Sequence, residues 1–155
     1  MKKQKIIAVL RVLNKKFKDK PIKWMLAGTT GLALQGVEIS PNDIDILTDK
    51  EGAFQINELL KEYEVKPIKF RRSKIFESYF GKFKINGVEI DVMGNLRVKL
   101  DNGWVLVKLD SNVVEMKEME FYVYPLHKAL KAYKILERKK DSIRVQKIKE
   151  ALRGG

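Results

Sequence analysis

The amino-acid sequence predicts an α/β (α+β) fold, in which one mixed sheet is flanked by helices. Three observations support this prediction. Apolar residues in 3–18 recur on one helical face, residues 65–123 alternate as strands do, and two helical segments follow Pro125. Residues 24–48 have a strand–helix–strand order that is βαβ-like. We therefore expect one domain over residues 1–155, with a core at 24–124 and C-terminal helices at 125–152.

The first part of the chain has a local signal for each element. The predicted elements are a helix at 3–18, a strand at 23–27, a short helix at 31–36, a strand at 43–48 and a helix at 50–63. Thr29 and Thr30 stand where the N-cap of the short helix is expected, and Gly36 would end that helix.

Strands and turns predominate in the middle of the chain. The segment "YFGKFKINGVEIDVMG" (79–94) contains two alternating runs joined by Asn86-Gly87, which is the strongest short signal for a β-hairpin. A second such pattern surrounds Asn102-Gly103, and residues 118–124 are a further strand candidate. Arg71, Arg72 and Lys74 are expected in a loop, where they would either contact phosphate or substrate or remain solvated. Two helices are then predicted at 125–140 and 142–152.

The composition limits the possible classes of function. The formal net charge is +12, and there is no cysteine, so disulfides and thiolate metal sites are excluded. No segment approaches the roughly 18 consecutive apolar residues of a membrane span, and we expect a cytoplasmic protein. The positive charge is concentrated in residues 1–23 and 126–155, which could attract phosphate-rich partners or form solvated helix faces.

Two carboxylates interrupt the predicted strand at 43–48. Asp43 and Asp45 are two positions apart, so they should project from the same side of the strand while Ile44 and Ile46 enter the core. Neighbouring carboxylates repel each other, and a pair of Mg²⁺ ions would relieve that repulsion and could support phosphoryl transfer. The alternative is that both acids lie at a solvent-exposed end of the strand and bind nothing. An EF-hand is excluded because Leu47 and Thr48 break the alternation of ligands. A sugar-nucleotide transferase would need a larger nucleotide-binding domain.

Two further features favour a phosphate site. Gly28 ends a predicted strand just before Thr29 and Thr30, so that free backbone N–H groups and a hydroxyl could face a phosphate tail. Asp91, between Ile90 and Val92, lies on the second strand of the Asn86-Gly87 hairpin. If that strand pairs beside residues 43–48, three carboxylates converge at one edge of the sheet.

This combination of residues resembles the nucleotidyltransferase superfamily typified by DNA polymerase β. The segment "LAGTTGLALQG…NDIDIL" is most similar to small bacterial and archaeal members grouped with lincosamide and aminoglycoside adenylyltransferases. The strong part of this match covers residues 24–94. The C-terminal tail also resembles lysine-rich "RxKD" helices that often end such proteins.

The resemblance implies a role for each matching residue. Asp43, Asp45 and Asp91 would be the catalytic and metal-binding acids, holding two Mg²⁺ or Mn²⁺ ions, and Asp91 would also help to deprotonate the acceptor hydroxyl. The nucleotide, ATP or another NTP, would be bound by a further set of residues: Gly28, Thr29, Thr30, Lys139 and Lys140. The implied reaction transfers a nucleoside monophosphate, expected to be AMP from ATP, to a hydroxyl and releases pyrophosphate.

The acceptor and two other functional hypotheses stay open at the level of sequence. The acceptor could be a small molecule, a protein or RNA. Ile39 and Pro41 occupy positions where members of this subgroup often carry Arg and Thr. That difference and the basic ends favour a second hypothesis, a nucleic-acid-binding module that has kept the fold and lost the chemistry. A third is an antitoxin-like protein that adenylylates a partner.

Overall fold

The structure is a computed structural model that describes residues 2–154. Over this range the chain forms five α-helices, one 3₁₀ turn at Lys61–Tyr63 and eight strands. The helices are α1 (Lys2–Phe17), α2 (Gly28–Leu34), α3 (Lys50–Leu59), α4 (Leu126–Leu136) and α5 (Lys139–Gly154). The strands are β1 (Trp24–Ala27), β2 (Ile44–Thr48), β3 (Glu64–Arg72), β4 (Phe76–Ile85), β5 (Val88–Leu100), β6 (Gly103–Leu106), β7 (Asn112–Met116) and β8 (Met119–Val123). The predicted α/β class is confirmed.

All eight strands form one mixed sheet. Its order is β3-β4-β5-β2-β1-β8-β7, and β6 pairs with the outer part of β5. Strands β2 and β5 are parallel neighbours, with Asp45 opposite Asp91. Strands β1 and β2 are antiparallel, so the βαβ-like order at 24–48 does not form the parallel unit that its order suggests. The antiparallel arrangement brings Ala27, the last residue of β1, opposite Asp45 near the start of β2.

The hairpin between β4 and β5 fixes the position of Asp91. Its turn residues, Asn86 and Gly87, have φ values of 48° and 81°, which the Asn-Gly sequence tolerates and a two-residue hairpin requires. The register then runs from Ile85 opposite Val88 to Lys82 opposite Asp91. The second predicted hairpin is also present, since β5 and β6 pair in antiparallel fashion from Leu100 opposite Gly103. Its turn consists of Asp101 and Asn102, one residue before the predicted Asn102-Gly103.

Two apolar clusters hold the helices against the sheet. The larger cluster combines α1 and α3 with the central strands, and it includes the four apolar residues predicted for the first helical face: Ile6, Leu10, Leu13 and Phe17. Each is at most 4% exposed, and each such burial contributes about 2 kcal/mol. The smaller cluster joins Leu32 and Val37 to Ala129 and Ile148. It anchors α4 and α5 beside the glycine turn.

Several element boundaries differ from the sequence prediction. The prediction of Thr29 and Thr30 at the N-cap of α2 is wrong, because the helix begins at Gly28 and both threonines lie inside it. Ala27 is the N-cap residue and provides no side-chain cap. Helix α3 ends at Leu59, and the predicted C-terminal extension forms the 3₁₀ turn instead. The helix predicted at 125–140 ends at Leu136, since Glu137 adopts a φ of 50°.

Two other differences concern strands. Arg71 and Arg72 end strand β3, and of the three predicted loop cations only Lys74 lies in the loop before β4. Strand β7, at Asn112–Met116, had no individual prediction. Among the described residues, no helix combines the length and apolar character that a membrane crossing requires.

Candidate active site

Three carboxylates converge where β2 and β5 lie side by side. Each of Asp43, Asp45 and Asp91 offers an oxygen atom, and these atoms all lie within 4.8 Å of one another. Ile44, Ile46 and their neighbours on β5 are fully buried, so the strands hold the acids on a rigid base. The predicted convergence of the three acids is confirmed.

The electrostatics of the three acids favour a bound cation. Burial raises the pKa of Asp45 to about 7, and the charges of Asp43 and Asp91 raise it in the same direction, while Arg144 and Lys140 oppose them. Burial also raises the pKa of Asp91, with Lys82 opposing and Asp43 reinforcing the shift. The charged forms of these carboxylates are therefore poorly compensated by the protein alone.

Gly28 makes room for Asp45. Its φ of 60° lies in the left-handed region, and a Cβ at this position would come within 2.2 Å of Asp45 Oδ2. Any side chain would therefore both strain the backbone and collide with the carboxylate. The glycine turn and the second aspartate consequently form one structural unit, although 16 residues separate them in the sequence.

The two threonines after Gly28 brace the loop before β2. Thr30 Oγ1 donates a hydrogen bond of 2.6 Å to the carbonyl oxygen of Asp43, and the backbone N–H of Asn42 donates to Thr29 Oγ1 at 3.4 Å. Both threonines are buried. Their visible contacts position Asp43, and the nucleotide contact implied for them by resemblance stays a prediction.

A cleft of about 550 Å³ opens beside the acids. Asp43, Asp45 and Asp91 contribute to its lining, as do Gly28 and three cations from the C-terminal part of the chain: Arg138, Lys140 and Arg144. Of the two lysines predicted at the nucleotide site, Lys140 therefore faces the cleft. Lys139 is exposed and is not part of its wall.

Comparison with known proteins identifies the family. A sequence model described as aminoglycoside-2''-adenylyltransferase matches residues 8–146. The chain belongs to the aminoglycoside-2''-adenylyltransferase family. A search of curated proteins found no match.

Solved structures of similar proteins agree with this family and its fold. A crystal structure of a candidate nucleotidyltransferase from Thermotoga maritima is 32% identical, covers 95% of this chain and 94% of its own, and has a TM-score of 0.85. ANT(2'')-Ia in complex with adenylyl-2''-tobramycin has a TM-score of 0.58 at 7% identity, covering 94% of this chain and 87% of its own. The solution structure of ANT(2'')-Ia has a TM-score of 0.51 at 10% identity, over 96% and 83%. At these low identities, the two ANT(2'')-Ia structures show the likeness of fold alone.

The chemistry of the acidic cluster in this family member fits a divalent metal. All three candidate ligands are carboxylates, which Mg²⁺ and Mn²⁺ prefer. Asp91 Oδ1 is buried and accepts no hydrogen bond among the described residues. This oxygen lies 3.4 Å from Lys82 Nζ but has no hydrogen bond, which is costly for a buried carboxylate oxygen, and a cation bound between the acids would give it a further partner.

Sequence reasoning missed two cations that act on the acids of this family member. Lys82 lies opposite Asp91 across the hairpin, with Nζ 3.4 Å from Asp91 Oδ1. Burial would lower the pKa of Lys82, but Asp91 and Glu89 raise it. Arg144 packs over the Tyr133 ring at 5.3 Å and lowers the pKa of Asp45. The alternation in β4 could have indicated Lys82, whereas Arg144 has no local signal because it reaches the cleft only through the packing of α5.

Proposed function

We propose that the protein is a Mg²⁺- or Mn²⁺-dependent nucleotidyltransferase that transfers AMP from ATP to a hydroxyl group of an acceptor and releases pyrophosphate. The observation that carries the proposal is the convergence of Asp43, Asp45 and Asp91 within 4.8 Å in the wall of a cleft. Membership in the adenylyltransferase family supports ATP as the nucleotide. The use of ATP would fit a cytoplasmic enzyme, which is the location we propose.

Each residue of the site would have a distinct task. Asp43 and Asp45 would hold two divalent ions, with Asp91 as a ligand to one of them. When bound, these ions would neutralise the triphosphate and stabilise the charge that develops during in-line displacement. Lys140 and Arg144 would attract the phosphates, and Gly28 would leave the space that Asp45 and the phosphates need. The Asp91 carboxylate would accept the proton of the acceptor hydroxyl, for which its raised pKa is suited.

The proposal is tested by transfer of label from ATP carrying a radioactive α-phosphate, with Mg²⁺ or Mn²⁺ and a cell extract as the source of acceptor. Label should appear on an acceptor, and Asp45→Asn should reduce the rate by roughly a hundredfold or more, because a metal ligand is lost. Asp101→Asn, in the exposed turn between β5 and β6, is the matched control and should behave as the natural protein. Absence of both label transfer and metal-dependent ATP binding would refute the proposal.

A nucleic-acid-binding module is the second candidate function. The observation that favours it is the concentration of lysine and arginine in residues 1–23 and 126–155. It does not account for the half-buried acidic cluster, because carboxylates that face a phosphate backbone without metal would weaken binding. An RNA affinity that is insensitive to both divalent metal and Asp43→Asn, in a protein without ATP binding, would favour this candidate.

A further inference from the structure

The acceptor side of the cleft is built from strands β3, β4 and β5. Phe80 and Met93 form a cross-strand pair, both line the cleft, and Met93 lies two residues beyond Asp91, or about 7 Å along the strand. Leu47 of β2 continues this apolar surface. A molecule whose hydroxyl lies at Asp91 would therefore place its body against apolar side chains. This inference about the acceptor rests on the function proposed above.

The cleft has no free carboxylate for a positively charged acceptor. Among the described residues of its lining, the only carboxylates are Glu77 and the three acids of the proposed metal site. Glu77 is 3% exposed and is already paired with Arg72 at 2.5 Å and with Arg97 at 3.9 Å. An aminoglycoside such as tobramycin carries several ammonium groups, and outside the three acids of the proposed metal site they would find no unpaired carboxylate in the described lining of this cleft.

The wall of the same cleft carries a positive charge that is suited to an anionic acceptor, that of Arg71. It lines the cleft, and its guanidinium is held by two backbone carbonyls, with Nε donating to Phe80 O at 3.3 Å and Nη2 donating to Pro67 O at 3.1 Å. Arg71 takes part in none of the ion pairs in the described part of the chain. A fixed guanidinium with unused N–H groups is suited to a carboxylate or phosphate.

We propose that the acceptor is a small hydroxyl compound with an apolar body and an anionic group, and not a polycationic aminoglycoside. Its apolar body packs on Phe80 and Met93, and its anionic group binds Arg71. The acceptor oxygen forms a bond to the α-phosphorus of ATP while the bond from that phosphorus to the bridging oxygen breaks. Pyrophosphate leaves with the electron pair, and the hydroxyl proton passes to Asp91.

Three matched probes test the charge preference in the full-length protein. They are para-substituted benzyl alcohols that carry a carboxylate, an amide or an aminomethyl group, and tobramycin is the fourth compound. Their affinities are measured by calorimetry with Mg²⁺ and a non-hydrolysable ATP analogue present, and label transfer is measured with ATP. We expect the carboxylate to bind about tenfold more tightly than the amide, and the amine and tobramycin to bind most weakly.

Variants of Arg71 test whether this residue causes the preference for the carboxylate probe. Arg71→Gln should remove the difference between carboxylate and amide, Arg71→Lys should keep part of it, and the exposed control Arg11→Gln should keep all of it. Binding of the ATP analogue by each variant checks that the fold is intact. An affinity order led by the amine or tobramycin, or a preference that survives in Arg71→Gln, would overturn the acceptor inference while metal-dependent ATP binding persists. Loss of ATP binding in the natural protein would instead overturn the proposed function itself, and the inference with it.

Discussion

At the scale of single residues, the site depends on contacts between positions far apart in the sequence. Asp45 Oδ2 occupies the space where a side chain at residue 28 would begin, and Thr30 holds the backbone of Asp43. The sequence indicated the acids because apolar–acid–apolar patterns are conspicuous within strands. It could not indicate that the hydroxyls of Thr29 and Thr30 form hydrogen bonds with the backbone of the loop before β2, since those bonds depend on the path of the backbone.

The raised pKa of Asp45 predicts a pH-dependent metal affinity. Below a pKa of about 7, the metal-free site holds a proton that a divalent cation must displace. The apparent affinity for Mn²⁺ should therefore rise about tenfold between roughly pH 6 and pH 8 and then level off. Calorimetric titration across this range measures the effect. Asp45→Asn should bind more weakly and lose most of the pH dependence, and an equally steep profile in that variant would contradict the assignment.

The same shift predicts the opposite trend for stability without metal. A pKa raised above the ordinary value of 3.8 means that the folded state holds the proton more tightly than the unfolded state. The associated stabilisation is complete below about pH 3.8 and is lost as the pH rises through about 7. The free energy of unfolding of the metal-free protein should thus decrease over this window, relative to that of Asp45→Asn at each pH, and added Mg²⁺ should reverse the decrease.

At the scale of elements, the junction between α4 and α5 determines which cations reach the cleft. The two helices are separated at Glu137, and the first turn of α5 is fixed by Asp141, which is fully buried. Its carboxylate accepts hydrogen bonds from the backbone N–H, Nε and Nη2 of Arg138 at 2.9, 2.7 and 3.0 Å. Lys140 and Arg144 then lie on the side of α5 that lines the cleft. Helical spacing in the sequence predicted both helices but not this junction. Glutamate is a good helix former, so Glu137 gives no sign that a helix ends there.

Asp141→Asn should destabilise the protein through this junction. Burial alone would raise the pKa of Asp141, but the hydrogen bonds and charge of Arg138 lower it, so the carboxylate is charged and paired in the folded state. Replacing it by an amide loses charge-assisted bonds in a buried position, which costs about 2 kcal/mol. Thermal or urea unfolding measures the change, with exposed Asp101→Asn as the control. Equal stability of the two variants would show that the junction contributes little.

At the scale of the whole molecule, the sequence was sufficient for the class of fold and for the convergence of the acids. The Asn86-Gly87 turn sets the register of β4 and β5, and buried aliphatic residues on either side of Asp45 and Asp91 favour neighbouring central strands. The strand order and the antiparallel pairing of β1 and β2 could not be derived in this way, because they depend on long-range packing. The extent of the domain, residues 1–155, stays a prediction.

The two basic ends of the molecule should differ in function. Helix α1 packs with α3 in the larger apolar cluster, whereas α5 contributes Lys140 and Arg144 to the cleft, where both lower the pKa of Asp45. Of the two basic ends, as far as the structure describes them, the C-terminal one is therefore the end whose charges are placed to attract a triphosphate. The double variant Lys140→Gln/Arg144→Gln should lose roughly tenfold or more in affinity for Mg²⁺–ATP, since two charge-assisted contacts disappear.

The matched control replaces two exposed lysines of α1, Lys5→Gln/Lys15→Gln, and changes the net charge by the same amount. Because these lysines act on ATP only through the overall field, their removal should change the affinity less than twofold at about 0.15 M salt, where screening is effective beyond about 8 Å. Calorimetry with a non-hydrolysable ATP analogue compares both double variants with the natural protein. Equal losses in the two variants would mean that net charge, and not the position of Lys140 and Arg144 in the cleft, governs nucleotide binding.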